Sequence, residues 1–342
     1  MPTIKPTSGS KIEKIIARLQ KRIAEGQFEE QYEASQETRL VAARYTKQGN
    51  FDAAIDILAN VSQSLLKAGA GGSGGDLAVL LVDVYKQGQI KPDGESKGRL
   101  LSCLRLFDSG EPTRKKFVKE AIEWSKKLGD YPAGDPELHH VIGALYAEEH
   151  ETDEAERHLI LGTKESAEVL SRMEYEWYKE DEAHTAASYC ARAVLPYLLM
   201  ANVRAANVSY RTFVSALVTE NKGLAVQDVS SNGGSDIRIF PSLPLLNFLG
   251  LLLLAVQKGS PDLFRNLKVK YNPNIQELGD AWDTALEMIA EMYFGIQRPR
   301  QSNPLFDMMG SLFGGGGLPG AGAGGGGRQT RRVEAPAAEG LD

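Results

Sequence analysis

The 342-residue chain has only two cysteines, Cys103 and Cys190, far apart and flanked by apolar or small residues. They make no disulfide framework, which points to a reducing compartment. No apolar run is long enough to cross a membrane. The longest, Leu243–Val256, has 14 residues interrupted by Pro244, Asn247 and Gly250, against about 20 for a span, and reads as a buried helix. Met1–Ser10 is polar and holds Pro2 and Pro6, unlike a secretory leader. Positive charge is in deficit, with a net charge of −6, which argues against general nucleic-acid binding. The expectation is a cytosolic protein that neither inserts into membranes nor binds nucleic acid.

Chemistry-bearing arrangements are also missing. No Ser/His/Asp or Cys/His set stands out, so no catalytic residue is assigned. His139, His140, His150 and His158 lie within 20 residues, but their spacing fits no common metal site, and no metal is assigned. Gly69–Asp76, GAGGSGGD, lacks the Lys-Ser/Thr ending of a phosphate loop, and a helical pattern precedes it. It reads as a flexible turn between two helices, with no cofactor. Asp76 then begins the next helix, Leu77–Tyr85, on which Asp76, Val79, Leu80 and Asp83 form one stripe.

What the sequence does contain is a repeated helical hairpin. In Thr38–Leu58, Ala42 and Tyr45 precede a Gly49–Asn50 break, and Ala54 and Leu58 follow it. Gly143, Tyr146, Ala155 and Leu159 keep the same offsets, and the two tyrosines are 101 residues apart, close to three tetratricopeptide units of about 34. Tyr197, Ala206 and Tyr210 repeat part of the pattern out of register and carry little weight. The fold class is therefore all-α, an α-solenoid of tetratricopeptide-like hairpins.

Along the chain, residues 1–10 read as a disordered start, 11–150 and 151–300 as two helical-repeat halves, and 301–342 as a flexible glycine-rich tail. Ser10 and Glu13 suggest a capping box opening a helix with apolar Ile12, Ile15, Ile16, Leu19 and Ile23. Its other side carries Lys11, Lys14, Arg18, Lys21 and Arg22, a solvated face or one that meets an acidic partner. A second helix over 29–48 places Ala34, Thr38, Val41 and Tyr45 on its packing side and Tyr32, Gln36 and Arg39 together opposite. That mix suits an interface hot spot, although Tyr32 could equally pack on the first helix. Leu224 and Val226, then Ile237 and Ile239, alternate with small or polar residues around Asn232-Gly233. This predicts a β-hairpin over 224–239, which needs support from its own helices or from a partner. Ser242 is expected to cap a helix over 243–257, and one amphipathic helix is expected around 274–294 with Leu278, Trp282, Leu286 and Ile289 inward. Pro304–Phe313 reads as a short linear motif.

Several motifs, in order, resemble the Golgi to ER traffic protein 4 family, the guided-entry factor also known as a subunit of the transmembrane-domain recognition complex. They are Tyr32-Glu33-Ala34-Ser35-Gln36 with Arg39, Gly71–Leu77, Glu154–His158, Pro244–Leu249 and Tyr293-Phe294-Gly295. The resemblance implies an adaptor for post-translational delivery of tail-anchored membrane proteins to the endoplasmic reticulum. Its amino-terminal helices would hold the targeting ATPase through Tyr32, Gln36, Arg39, Arg44, Asp76 and Asp83. Its carboxy-terminal part would hold a ubiquitin-like-domain protein through Leu224, Val226, Ile237, Ile239, Phe240, Leu245 and Phe248. That protein in turn recruits a tetratricopeptide co-chaperone carrying the client. Two positions depart from the family pattern: Ser35 stands where relatives carry histidine, and Gln31 where an aromatic occurs. The alternative reading is a helical scaffold subunit of another cytosolic assembly.

Overall fold

The computed structural model describes residues 8–230, 236–278 and 280–297. The expected disordered start, the turn Asn232-Gly233, the linear motif Pro304–Phe313 and the glycine-rich tail lie wholly or largely outside them. The described residues share one compact unit ending at Gln297. In order, the helices are α1 (Ser8–Glu25), α2 (Phe28–Lys47), α3 (Phe51–Lys67), α4 (Gly71–Gln87), α5 (Gly94–Leu104), α6 (Pro112–Leu128) and α7 (Pro136–Glu148). They continue with α8 (Thr152–Leu159), α9 (Ser166–Tyr178), α10 (Ala186–Leu199), α11 (Val203–Glu220), α12 (Pro244–Lys258), α13 (Pro261–Gln276) and α14 (Asp280–Phe294). Two strands, β1 (Gln227–Ser230) and β2 (Asp236–Ile239), intervene between α11 and α12.

Over much of the chain helices pack on the next but one: α1 on α3, α2 on α4, α3 on α5, α4 on α6, α5 on α7, α7 on α9, α9 on α11 and α10 on α12. That stacking is the signature of a helical solenoid. At the far end α14 returns to α10, where the Tyr293 hydroxyl donates to the Leu198 carbonyl at 2.8 Å. One continuous apolar core runs through the unit.

The hairpin turns follow from a single backbone device. Gly49, Gly69, Gln89, His150, Ala201 and Gly259 have positive φ. After each, the next amide donates back to a carbonyl five residues earlier: Asn50 to Tyr45, Ala70 to Leu65, Ile90 to Tyr85, Glu151 to Tyr146, Asn202 to Tyr197 and Ser260 to Ala255, all at 2.8–3.2 Å. This left-handed stop satisfies carbonyls that the helix end would otherwise leave open. Asn50, Ala70, Glu151, Asn202 and Ser260 then serve as the N-caps of the following helices. The match at Tyr197, Ala206 and Tyr210 is therefore a true third hairpin. It is out of register because three helices, α8 to α10, lead from Tyr146 to Tyr197 and leave a half unit over.

Several boundaries differ from expectation. α1 starts at Ser8, so Ser10 does not cap it. α2 instead has a capping box between Gln27 and Glu30. α12 starts at Pro244 with Leu243, not Ser242, as its N-cap. The helix expected around 274–294 is the end of α13, which carries Pro273 inside it, followed by the separate α14. Trp282, Leu286 and Ile289 are buried and Leu278 packs at the edge of the core.

The largest correction concerns Gly71–Gly75, which is the opening of α4 rather than a turn. Asp76 thus sits in the second turn, not at the cap. Glycine is used here for closeness. A Cβ on Gly74 would stand 2.8 Å from Leu66 Cγ and 2.9 Å from its backbone nitrogen, and one on Gly75 would meet Thr113 Oγ1 at 2.0 Å. These contacts let α4 lie directly on α3 and α6. Gly72, by contrast, has nothing within 4 Å of its virtual Cβ. Gly74→Ala is expected to destabilise the protein by about 2 kcal/mol through overpacking. Gly72→Ala should be neutral or stabilise by about 0.5 kcal/mol through helix propensity. Urea unfolding of both variants checks the contrast, and equal midpoints would contradict the packing account.

Candidate functional site

The first candidate surface is built on α2 and α4. Ala34, Ser35, Thr38 and Ala42 face inward along α2, with Val41 and Tyr45 partly buried beside them. The opposite ridge is open. Tyr32 is 52% exposed, so it does not pack on α1, and Phe28 and Leu40 on the same side are 75% and 74% exposed. Sequence reasoning missed those two, although the projection that grouped Tyr32 with Gln36 would have placed them there. Arg39 reaches across to α4 and donates to Asp76 Oδ2 at 2.7 Å, while its Nε is buried without a hydrogen-bond partner. Gln36 and Arg44 are exposed, and Asp83 is half-buried two turns beyond Asp76. The Arg44 guanidinium lies 5.6 Å from the centre of the Tyr45 ring. Beside this ridge a groove of about 410 Å³ is lined by residues including Ala42, Ala43, Phe51, Leu80 and Val84. Ser35 is 1% exposed, so the departure at that position changes packing rather than surface.

The second candidate surface surrounds the strands. β1 and β2 pair antiparallel, with Gln227 opposite Ile239 and Val229 opposite Ile237. Leu224 and Val226 precede β1 instead of belonging to it, and both pack partly on the core. The exit of β2 is clamped to α12 by one side chain. Asn247 Oδ1 accepts from the Phe240 amide and its Nδ2 donates to the Phe240 carbonyl, each at 2.8 Å. Sequence reasoning saw Asn247 only as an interruption in an apolar run. Phe240 and Phe248 are 0% exposed, which corrects their placement on a docking surface: both are core. Of the expected residues, Leu224, Val226, Ile239 and Leu245 keep partial exposure. Leu224 also borders a groove of about 410 Å³ with Tyr178, His184, Leu217 and Leu243.

A family profile described as Golgi to ER traffic protein 4 matches residues 48–313. The chain belongs to the Golgi to ER traffic protein 4 family. It is 52% identical to Golgi to ER traffic protein 4 of Aspergillus fumigatus over 96% of this chain and 98% of that one. To the Schizosaccharomyces pombe protein of the same name it is 34% identical, over 85% and 94%. Among solved structures it is similar to the crystal structure of C. therm. Get4, with a TM-score of 0.84 and 71% identity, covering 95% of this chain and 100% of that one.

In this member of the Golgi to ER traffic protein 4 family two of the clustered histidines, His139 and His158, pack against each other. Among the described residues no group of three or more His, Cys, Asp or Glu converges as a metal site. His139 Nδ1 faces His158 Nδ1 at 3.0 Å, and His139 Nε2 lies 3.1 Å from the Ala133 carbonyl. Burial, followed by the neighbouring His139, pushes the His158 pKa down to about 4, and burial lowers that of His139. Glu174 is fully buried. Burial first, then Glu156, raises its pKa to about 9 despite Arg192 at 3.5 Å.

The two effects have opposite signs. An unfolded histidine titrates near 6.5 and takes up its proton before folded His158 does, so stability falls as pH drops from about 6.5 towards 4. Folded Glu174 keeps its proton well above the unfolded value near 4.3, so its contribution declines as pH rises towards 9. Chemical denaturation across pH is expected to show both limbs. His158→Gln should flatten the acid limb by about 3 kcal/mol, and Glu174→Gln should flatten the alkaline one. Unchanged profiles would contradict these assignments.

Proposed function

We propose that this chain is a non-enzymatic cytosolic adaptor in the delivery of tail-anchored membrane proteins to the endoplasmic reticulum. The α2–α4 surface holds the targeting ATPase. The strand-bearing end holds a ubiquitin-like-domain protein, which brings a tetratricopeptide co-chaperone and its client. Membership of a family named for Golgi to ER traffic supports the pathway. No described helix is long and apolar enough to cross a membrane, in keeping with action from outside the bilayer.

The observation that carries the first surface is the Arg39–Asp76 pair. These residues are 37 apart in sequence and lie on neighbouring helices. With side chains 37% and 49% exposed, the pair contributes about 0–1 kcal/mol to the fold. Folding alone gives little reason to place both charges beside exposed Phe28, Tyr32 and Leu40. An exposed aromatic next to arginine is the residue mix of a binding hot spot. For the second surface, support comes from a two-stranded ribbon with four residues per strand. Such a ribbon is marginal alone, and here it is held at its base by Asn247.

Asp76→Lys and Arg39→Glu are each expected to weaken ATPase capture by about 2 kcal/mol, roughly thirty-fold, without unfolding the chain. Combining them restores an ion pair within the chain but presents each charge in the wrong place. The double variant should therefore remain weak in a pull-down or titration calorimetry. Wild-type affinity in the double variant would assign the pair to folding alone. Deleting residues 226–237 is expected to abolish capture of the ubiquitin-like protein while leaving ATPase capture intact. Undiminished capture by that deletion variant would sink the second surface.

A further inference from the structure

The exposed side of α6 carries a charge distribution that neither the fold nor the adaptor reading uses. Lys115, Lys116, Lys119, Lys126 and Lys127 are all exposed. At 100° per residue they share one face, opposite Phe117, Ala121 and Trp124, which are buried. Lys126 pairs with Glu123 at 2.9 Å, and Glu120 on the same helix is taken by Lys86 from α4. That leaves Lys115, Lys116, Lys119 and Lys127 without a carboxylate within salt-bridge distance among the described residues. The chain as a whole is acidic, at −6.

Two of these lysines are also badly placed for the helix. Lys115 and Lys116 follow Arg114 near the start of α6, whose first turn holds no acidic residue. Cations there oppose the helix dipole, at about 0.3–1 kcal/mol each, and Lys115 and Lys119 repel at i, i+4 spacing. Arg114 has a structural role, buried against Glu149 at 2.6 Å and 5.0 Å from the centre of the Tyr146 ring. The two lysines beside it have no such role.

We propose that the α6 lysine face is a docking surface for an acidic polypeptide segment lying along the helix. From Lys115 to Lys127 the face runs about 18 Å at 1.5 Å per residue, the length of five or six residues of extended chain. A narrow acidic strand fits better than an anionic membrane. None of the large apolar residues exposed on this protein lies on α6, so nothing there would insert among lipids. A plane of headgroups would also meet the acidic remainder of the molecule. Tyr131, just beyond the end of α6, is the nearest exposed aromatic in sequence, and one ring gives little of the base stacking that holds single-stranded nucleic acid.

The test uses the full chain and a fluorescein-labelled octaglutamate peptide, read by anisotropy at low and physiological salt. The triple variant Lys115→Glu, Lys116→Glu, Lys119→Glu is expected to bind the peptide at least tenfold more weakly. Its thermal midpoint should be unchanged or higher, because the new carboxylates suit the helix start. The same reversals at exposed Lys67, Lys222 and Lys258 should leave binding within about twofold of wild type. Three outcomes would overturn the proposal: no peptide binding by the wild type, equal losses in both triple variants, or a lower midpoint in the α6 variant. Tighter binding of phosphatidylserine vesicles or of a single-stranded RNA than of the peptide would overturn it too, in favour of that ligand.

Discussion

Everything in the array depends on how its helices stop. At Gly49, Gly69, His150, Ala201 and Gly259 the chain enters the left-handed region for one residue. The very next residue both closes the finished helix and caps the new one. No slack remains between the partners of a hairpin, so the second helix can only run back along the first. The carbonyl being closed belongs in three cases to a tyrosine, Tyr45, Tyr146 or Tyr197, whose ring also packs on or into the core. Side chain and backbone of one residue thus fix the packing and the turn together. His150 and Ala201 adopt a conformation that costs roughly 1–2 kcal/mol outside glycine, which is affordable only because the closure is so heavily determined on both sides.

That constraint is what brings distant residues into working range. Because α2 and α4 are each set by such a turn, Arg39 meets Asp76 across the helix pair, and the exposed ridge of α2 is presented on a fixed frame. The strand-bearing end relies on a different lock. Asn247 holds both backbone groups of Phe240, and Phe240 and Phe248 vanish into the core. Those aromatics support the ribbon from beneath, leaving Leu224, Val226, Ile239 and Leu245 as its accessible apolar edge.

The sequence revealed the features that depend on spacing and concealed those that depend on context. Tyr45 to Ala54 and Tyr146 to Ala155 could be read as hairpins because the left-handed stop imposes that interval. Tyr32, Gln36 and Arg39 could be grouped because a helix has a fixed period. Gly71–Gly75 could not be placed, since glycine serves equally for turning and for close approach. Only the positions of Leu66 and Thr113 decide between the two. Phe240 and Phe248 were placed on a docking surface by family resemblance, which does not show whether an aromatic faces a partner or the core. Asn247 was hidden because its partner Phe240 lies outside α12, in the segment that leaves β2, where no helical period relates the two.

The ionisable groups that the fold buries are not spread evenly. Leaving tyrosine and cysteine aside, Arg114, Asp135, His139 and Glu174 are the buried ionisable residues among those described, and all lie between α6 and α9, midway along the chain between the two candidate surfaces. Three are tied by a side-chain bond to a neighbouring element, Arg114 to Glu149, Asp135 to Lys97 and His139 to His158, and Glu174 lies 3.5 Å from Arg192 with both carboxyl oxygens lacking a hydrogen-bond partner. Buried polar groups contribute little net stability but penalise any packing that leaves them unpaired. Apolar helices slide past one another at little cost, whereas these pairs make a shifted register expensive. The polar middle therefore fixes how the first half of the stack is joined to the second.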